Sequence, residues 1–561
     1  MKLLSKRFFA IIPPILLQSC PVAPFSTRLS RRSGYTYPLQ RRSCNDHSRA
    51  FYGNKIHLYS FYSDFDGADN GGNGNDDSEK SDSDQDMLFA SLRERLSALD
   101  ERRRIQLEGW KSPPVQTQTV PIPGDWVRRV AMDTKAGATS SVSISGTATV
   151  SKQQHLYAIA GGASGSIYLV NLALDERKEK PRRLLGILPE VHESRGDEDL
   201  KTKSVLKDLY GDFDGGGIVA LAMRDSVVVS SGREGSVHIS KIIPETDTDD
   251  DDNNMNQLTA IGKIPQLSSS IVTSLVFDEV ECILWVGSYD DDEGGTIRGY
   301  SYDVDDNDEL HDAHTLKFAM MKTPLYSIQS RSGIMSLSLA NEVGCAVATT
   351  KADGIVLFST KDGTTLGTWN PFAGADIIEC EYCRSAAVIQ NDEAPRAPPM
   401  EVNQTHTFVP SPLWSIVAGG SKGSLYQRLL ALNIQKVVSK RNPFDTFSPV
   451  QLVPDRLKHG GPIVCLASPG PGVLVSAAQD GSIRIWDSSY QQNCYDDSDN
   501  SDMIDDMGGC KPNCLYALAG YKVWIGSCVV LKDDMNMLIS DGADNAIVTQ
   551  VFKKTLKIDY T

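Results

Sequence analysis

Two hydrophobic patterns follow one another along the chain. Leu88, Leu92, Leu96 and Leu99 recur at spacings of four, four and three residues, which predicts an amphipathic helix over residues 87–111. From residue 115 onward, short apolar segments alternate with polar positions and are separated by Gly, Asp and Asn, a pattern typical of strands and tight turns. The chain is therefore predicted to form one helix followed by an all-β region, residues 115–561.

One unit of this β pattern occurs seven times. Each copy is an apolar strand, a turn rich in small or polar residues, and a second alternating strand; the copies are 156–172, 227–242, 283–302, 346–360, 414–432, 473–489 and 537–552. Their turn residues lie 58 to 70 positions apart. Because one such unit cannot bury both faces of a sheet, repeated units are expected to stack radially. The prediction is a seven-bladed β-propeller whose extra length lies in loops.

A further strand is predicted before most of the seven units. The candidates are Val127–Met132, Ile218–Met223, Ile271–Phe277, Ile334–Leu339, Ile463–Ala467 and Val523–Cys528, and the fifth unit has the weakest one. Closure of the ring requires one strand from a chain end in the last blade. Both Thr119–Ile122 and Thr555–Asp559 are candidates for that strand.

The sixth unit resembles the WD-repeat (transducin-like) β-propeller family. Val473–Asp487 reads VLVSAAQDGSIRIWD and ends in Trp-Asp, and the pair His459-Gly460 stands upstream, in reversed order relative to the family's Gly-His. The resemblance implies a structural, hydrogen-bonded tetrad within this blade, formed by His459, Ser476, Asp480 and Trp486. The other six units keep the pattern of strands and turns but lack the Trp-Asp ending, so the match is strong in one blade and weak elsewhere.

Residues 1–63 are predicted to be a targeting leader. Lys2, Lys6 and Arg7 precede the apolar run 8–17, which is too short to span a bilayer. Residues 25–45 then carry five Arg and no acid, as organelle transit peptides do. This order resembles the bipartite leaders of secondary plastids and favours a plastid over a mitochondrion. A bacterial lipobox at 17–20, or a basic tail on a cytoplasmic or nuclear protein, are the alternatives.

Composition changes this picture in two ways. Residues 64–86 hold nine acids and no aliphatic residue larger than Ala, so they are predicted to be a disordered linker. The whole chain has a net charge of -16, and removal of a leader of +9 leaves the remainder at -25. Such an acidic chain is a poor ligand for nucleic acid.

Three further acidic stretches, 245–252, 290–312 and 496–506, are predicted to be solvated loops, with a basic partner or weakly bound calcium as the alternatives.

Candidate chemistry is sparse. The GxSxG pattern at 419–423 falls in a predicted hairpin turn and not in the strand-to-helix turn that a nucleophile needs. Two cysteine pairs, Cys380 with Cys383 and Cys510 with Cys514, lie in different predicted blades, which disfavours a shared zinc site. His311 and His314 lie in an acidic loop. No catalytic residue, cofactor or metal ligand is therefore assigned.

The resemblance implies a non-catalytic scaffold that organises protein partners within a multi-subunit assembly, with no transmembrane segment in the mature chain. Two alternatives remain open. A substrate receptor of a ubiquitin ligase often carries Arg two residues after Trp-Asp, where this chain has Ser489. A propeller enzyme with an axial metal site needs convergent carboxylates or histidines.

Overall fold

The structure is a computed structural model, and it describes the larger part of the chain beyond residue 106. The described residues are 97, 101, 104, 107–133, 156–172, 184–192, 217–243, 258–264, 271–289, 294–305, 315–317, 323–373, 381–391, 414–430, 443–444, 449–452, 458–488, 514–519, 521, 524–531, 536–542 and 545–552. The predicted leader, the linker 64–86 and Leu88, Leu92, Leu96 and Leu99 lie outside them, as do most of the acidic loops.

The described β-strands form seven antiparallel sheets of four strands, so the predicted seven-bladed β-propeller is confirmed. The first strand along the chain is β1 (Gln116–Pro121), which belongs to the last blade. Blade one consists of β2 (Val127–Met132), β3 (Tyr157–Gly162), β4 (Ile167–Asn171) and β5 (Leu184–Leu188). Blade two consists of β6 (Ala220–Arg224), β7 (Val227–Ser231), β8 (Val237–Ile242) and β9 (Leu258–Ile264).

The remaining blades follow in chain order. Blade three has β10 (Ile271–Asp278), β11 (Ile283–Tyr289), β12 (Gly295–Ser301) and, after the separate pair β13 (Asp303–Asp305) and β14 (Thr315–Lys317), β15 (Tyr326–Ser330). Blade four has β16 (Ile334–Ala340), a 3-10 turn at Asn341–Val343, β17 (Cys345–Thr350), β18 (Gly354–Ser359) and β19 (Thr365–Trp369). Blade five has β20 (Cys383–Gln390), β21 (Trp414–Gly420), β22 (Leu425–Leu430) and β23 (Val450–Gln451). Blade six has β24 (Ile463–Gly470), β25 (Val473–Ala478), β26 (Ser482–Asp487) and β27 (Cys514–Leu518).

Blade seven closes the ring with strands from both ends of the propeller. It contains β28 (Cys528–Leu531), β29 (Met537–Ser540) and β30 (Ala546–Val551), and β1 pairs with β30 from Gln116↔Val551 to Pro121↔Ala546. Of the two candidate closing strands, the one near Thr119 is therefore used, while residues 555–559 lie outside the described part. The inner strands of neighbouring blades contact one another all the way round, β28 against β2 included.

Apolar side chains fill the spaces between blades. Seven buried clusters each draw residues from two neighbouring blades; one of them joins Val120 and Ile547 of blade seven to Val170 of blade one. An eighth cluster, with Val219, Ile271, Tyr289 and Met335, lies where inner strands begin. Each blade thus buries both faces of its sheet against its neighbours, as the radial arrangement requires.

The register places two sets of loops on one face of the ring. The first residue of β24, Ile463, pairs with the last residue of β25, Ala478, and the β25–β26 turn follows directly. The starts of the inner strands and the turns between second and third strands therefore share a face, which we call the hairpin face. Gly165, Gly235, Gly354, Gly423 and Gly481 occupy these turns with φ between 68° and 89°, a conformation that glycine adopts without a steric cost.

Several strand boundaries differ from the sequence expectation. The inner strand of blade seven is Cys528–Leu531 and not Val523–Cys528, because Trp524 and Gly526 belong to the segment that enters the blade. In blade two the strand begins at Ala220. In blade three the residue with positive φ is Gly294, one position before the predicted turn residue Gly295.

The end of the predicted helix packs on the propeller. Residues 107–111 are helical, and Leu107 and Trp110 are buried in the cluster between blades six and seven. The rings of Trp110 and Phe552 lie 4.7 Å apart between centroids. Among the described residues, no helix has both the length and the apolar character needed to cross a membrane.

Candidate functional sites on the hairpin face

The structure brings the four residues of the predicted tetrad together in blade six. His459, Ser476 and Trp486 are each at most 1% exposed. Trp486 Nε1 donates to Ser476 Oγ at 2.8 Å, and Ser476 Oγ lies 2.7 Å from His459 Nε2. Asp480 Oδ2 lies 3.3 Å from His459 Nδ1 and accepts from the Gly460 N–H at 2.7 Å. We call these four residues the blade-six network.

The hydrogen-bond directions in the blade-six network follow from the donors available. If Ser476 accepts from Trp486 and donates to His459 Nε2, the imidazole proton sits on Nδ1. Nδ1 lies 3.0 Å from Ser482 Oγ and 3.3 Å from Asp480 Oδ2, so both oxygens can accept it. Burial lowers the pKa of His459, so the ring is neutral at pH 7. Burial alone would raise the pKa of Asp480, but hydrogen bonds from His459 and Ser482 prevail and hold it far below its usual value. These assignments give the network a structural role.

A second histidine network, which was not predicted from the sequence, lies in blade two. His192 Nε2 lies 2.9 Å from Ser230 Oγ, and His192 Nδ1 contacts Glu234 Oε1. His192 is 2% exposed. We call His192, Ser230, Glu234 and the neighbouring His238 the blade-two network.

The two networks correspond position by position but differ chemically. Ser230, Glu234 and Gly235 match Ser476, Asp480 and Gly481 in the segments SSGREGS and SAAQDGS. By the same alignment, His238 replaces Arg484 and Ser240 replaces Trp486. The Ser240 hydroxyl is buried and has no hydrogen-bond partner within the part of the chain that the structure describes. Blade two thus lacks the indole donor and gains a second imidazole.

Each of these histidines connects two neighbouring blades. His459 N–H donates to Gly423 O in the blade-five hairpin at 3.1 Å, and His192 N–H donates to Gly165 O in the blade-one hairpin at 3.2 Å. A Cβ on Gly165 would lie 1.8 Å from His192 O, and one on Gly423 would lie 2.1 Å from His459 O. Glycine is therefore required in both turns for the histidine segment to approach.

Carboxylates hold the hairpins in six blades, as far as the described residues extend. Glu381, for example, accepts from the N–H groups of Lys422 and Ser424 in the blade-five hairpin at 2.8 and 3.1 Å. The full set of these carboxylates is Asp125, Glu234, Asp353, Glu381, Asp480 and Asp541. Acidic side chains near the hairpins are therefore engaged by the backbone or by hydroxyl groups.

The axial opening is lined by arginines and one buried acid. A small cavity of about 30 Å³ is bordered by Arg129, Arg384, Trp524 and Asp541, among others. Arg129 Nε donates to Val219 O at 2.6 Å, which joins blade one to blade two. Burial raises the pKa of Asp541 to about 7, against the opposing effect of the Ser527 and Gly526 N–H groups and the Arg129 charge. The cavity has room for about one water molecule.

Several aromatic and basic side chains lie on the hairpin face. Trp126 is 44% exposed, and the Arg128 guanidinium lies 5.3 Å from its ring centroid. The ammonium of exposed Lys351 lies 5.7 Å from the centroid of Tyr382. We call Trp126, Arg128, Lys351, Tyr382, Lys422 and Trp524 the aromatic–basic patch.

Of the other candidate residues, the structure describes Ser421, Cys383 and Cys514. Ser421, the central residue of the GxSxG pattern, sits in the blade-five hairpin and its Oγ accepts from the Tyr382 N–H at 3.1 Å. Cys383 is fully buried in β20, and burial raises the pKa of its thiol. Cys514 lies in β27 of another blade. Cys380, Cys510, His311, His314 and Ser489 lie outside the described residues.

Comparisons with known proteins give structural matches only. No protein-family model matches the chain, and no curated protein matches its sequence. The structure is similar to the WD40 β-propeller domain of Doa1, with 12% identity, a TM-score of 0.40, and coverage of 79% of this chain and 96% of that one. It is also similar to the RRP9 WD40 repeats, with 10% identity, a TM-score of 0.44, and coverage of 79% and 99%. The seven four-stranded sheets themselves define the chain as a seven-bladed β-propeller.

Proposed function

We propose that this protein is a non-catalytic scaffold of the WD-repeat type that binds protein partners through the hairpin face of its propeller. The observation that carries the proposal is the aromatic–basic patch. Aromatic residues and Arg are enriched at the cores of protein interfaces, where large rigid side chains contribute most of the binding energy. Stacked cation–aromatic pairs such as Arg128 over Trp126 present both kinds of contact at once.

The charge of the patch indicates what kind of partner segment it fits. The chain carries 72 acidic and 56 basic residues, yet exposed Lys351 and Lys422 occupy the turns of the hairpin face. The carboxylates near those turns are engaged in hydrogen bonds, and the Lys351 ammonium lies over the ring of Tyr382. A partner segment that combines carboxylates with an apolar side chain is complementary to this surface.

Two further parts of the proposal rest on the sequence. The leader favours delivery to a plastid, ahead of a mitochondrion or a cytoplasmic or nuclear location. The blade-six network supports membership of the WD-repeat family, since it reproduces the tetrad that the family resemblance implies.

Affinity capture with matched surface variants tests the scaffold proposal. The full chain is tagged at its carboxyl terminus, expressed in its native cells and recovered with its partners, which are quantified by mass spectrometry. Trp126→Ala and the double variant Lys351→Glu/Lys422→Glu are expected to lose a common set of partners by about tenfold or more, a hot-spot loss of 1.4 kcal/mol or above.

Controls come from the opposite face of the ring. Val280→Ala lies in the β10–β11 turn and Lys361→Glu in the β18–β19 turn, both on exposed residues away from the hairpin face. These variants are expected to keep the full set of partners. An identical set from all four variants, or no set above background, contradicts the proposal. A cytoplasmic or nuclear signal with ligase subunits among the partners supports the substrate-receptor alternative.

A further inference from the structure

We infer that the blade-two network is a binding site for a divalent transition-metal ion of the zinc type, with His192, Glu234 and His238 as its ligands. Across the part of the chain that the structure describes, these three are the one group of His, Cys, Asp or Glu whose ligand atoms converge, all lying within 4.8 Å of one another. Zinc is held by imidazole nitrogens at about 2.0–2.1 Å and by carboxylate oxygens at similar distances.

The ligand atoms already converge from three positions of the fold. His192 enters from the segment between blades one and two, Glu234 from the β7–β8 hairpin, and His238 from β8. His238 Nε2 lies 3.9 Å from Glu234 Oε1, and the two imidazole centroids are 4.5 Å apart. Two ligands of a tetrahedral zinc ion stand roughly 3.3 Å apart, so shifts of about 1 Å complete the geometry.

Glu234 and His192 have donor atoms available to a metal ion. Glu234 Oε1 accepts from the Ser236 hydroxyl at 2.8 Å, whereas the second oxygen, Oε2, is buried and has no hydrogen-bond partner among the described residues. His192 Nε2 lies 2.9 Å from Ser230 Oγ. When this nitrogen carries the proton and donates to Ser230, the Nδ1 lone pair faces Glu234 and His238. A second hydrogen bond of this kind orients most metal-binding histidines.

Blade six provides an internal comparison. There the Trp486 indole donates to the equivalent serine and Arg484 occupies the position of His238, so the site holds a hydrogen-bonded chain with a cation nearby. In blade two the indole is replaced by Ser240, whose hydroxyl meets no partner in the described ranges, and the arginine is replaced by an imidazole. Both changes favour a metal ion. Without the indole donor, the Ser230 hydroxyl can accept a hydrogen bond from His192, and without the arginine there is no positive charge to repel the ion.

The packing around the blade-two network requires glycine at position 232. A Cβ on Gly232 would lie 2.4 Å from Glu234 Oε2 and 2.7 Å from His192 Nδ1, so a larger residue at this position would displace the proposed ligands. The side chains of Glu234 and His238 are 18% and 20% exposed, so an ion can enter from solvent. Three protein ligands leave the fourth position of a tetrahedral ion to water.

Metal titration of the full chain tests this inference. The purified protein is stripped with a chelator under reducing conditions, and Zn²⁺ and Co²⁺ are then titrated separately while binding is followed by calorimetry and, for Co²⁺, by absorption. We expect one tight Zn²⁺ site per chain, and a Co²⁺ spectrum without the strong near-ultraviolet band that thiolate ligands give. Absence of this band would show that the Co²⁺ ion is not bound by any of the 11 cysteines.

The matched variant is His238→Arg, which installs the blade-six residue and is therefore expected to fold. It should weaken Zn²⁺ binding by about 100-fold or more, since even loss of an outer-shell partner costs 10- to 100-fold. Ser230→Ala should weaken it by about 10-fold. Thermal unfolding in chelator confirms that both variants are folded. Unchanged Zn²⁺ affinity in His238→Arg, a thiolate spectrum with Co²⁺, or no stoichiometric binding by the wild-type chain overturns the inference.

Discussion

At the residue scale, Ser476 links the two halves of the blade-six network. It accepts from Trp486 on β26 and contacts His459 from the segment that follows blade five, and the serine itself is fully buried on β25. A buried polar group must find partners, since an unmade hydrogen bond in the interior costs about 1–3 kcal/mol. Trp486 therefore contributes both a hydrogen bond and a large apolar surface.

Two substitutions at Trp486 separate these contributions. Trp486→Phe keeps most of the packing and removes the donor, so it should lower the free energy of unfolding by about 1 kcal/mol. Trp486→Ala also leaves a cavity and should cost about 3 kcal/mol or more. Denaturant-induced unfolding measures both values. A Trp486→Ala chain as stable as the wild type would contradict the burial of this ring between blades five and six.

Asp541 should give the stability of the protein a distinctive dependence on pH. Its pKa is about 7 in the folded protein, against about 3.9 in an unfolded chain. Between pH 4 and 7 the folded state thus retains a proton that the unfolded state has lost, and stability falls as pH rises. Asp541→Asn removes this dependence and keeps an oxygen to accept the Gly526 and Ser527 N–H groups.

The measurement is the difference in unfolding free energy between the wild type and Asp541→Asn at several pH values from 4.5 to 7.5. Taking the difference cancels other groups, among them His238, whose pKa burial lowers to about 4 and which has the opposite slope. We expect the wild type to lose stability relative to the variant as pH rises. A difference that stays constant, or that changes in the other direction, shows that Asp541 is ionised throughout.

At the scale of the element, β1 determines whether the ring is closed. It is a short edge strand, and its one buried side chain, Val120, packs between blades seven and one. Since β1 comes from the start of the propeller sequence and pairs with β30 from its end, it acts on the whole ring although its own core contribution is small. The order of strands in blade seven, β1-β30-β29-β28, records this arrangement.

Neighbouring residues of β1 provide a matched pair of variants. Val120→Ala should lower the free energy of unfolding by about 2 kcal/mol, from the lost transfer of two methyl groups and the cavity they leave. Thr119→Ala changes an exposed side chain on the other side of the same strand and should cost less than about 0.5 kcal/mol. Equal effects of the two substitutions, measured by denaturant unfolding, would show that β1 is not docked.

The second and third strands of each blade were predictable because burial and turn chemistry agree there. In blade one, for example, Tyr157–Gly162 and Ile167–Asn171 flank a turn that Gly165 marks in the sequence. The outer strands of blades one to six were missed because they are edges with little burial: β9 has one buried residue in seven, and β15 has none in five. Backbone hydrogen bonds to β8 and β12 hold these edge strands in place, although their own side chains bury little surface.

The histidine networks show the same limit at a site. His459 was found because Trp486-Asp487 is a recognisable ending, whereas His192 stands 38 residues before Ser230 in a stretch with no periodicity. One signal was present: the segment SSGREGS repeats the spacing of SAAQDGS, with an acid before the turn glycine. Only the fold shows that this distant histidine contacts the acid, because the contact depends on the path of the chain from blade one to blade two.

At the scale of the whole molecule, the cores lie between blades and not within them. Every blade shares one buried cluster with each of its two neighbours. Between blades seven and one, Val120 of β1 is part of that cluster. An open array of such units could unfold from either end, because its terminal units have only one neighbour. A closed ring has no terminal unit, so loss of one interface weakens two blades that remain held on their other sides.

This arrangement predicts cooperative unfolding in a chain longer than those that usually unfold in one step. The seven tryptophans lie in or next to six of the blades, so their fluorescence samples most of the ring, while circular dichroism reports the strands. We expect the two denaturant transitions to coincide. Trp486→Phe and Val120→Ala share no cluster, so their effects should add within about 0.5 kcal/mol in the double variant. Separate transitions for the two probes would instead show that blades unfold one after another, and that β1 closes the ring without coupling it.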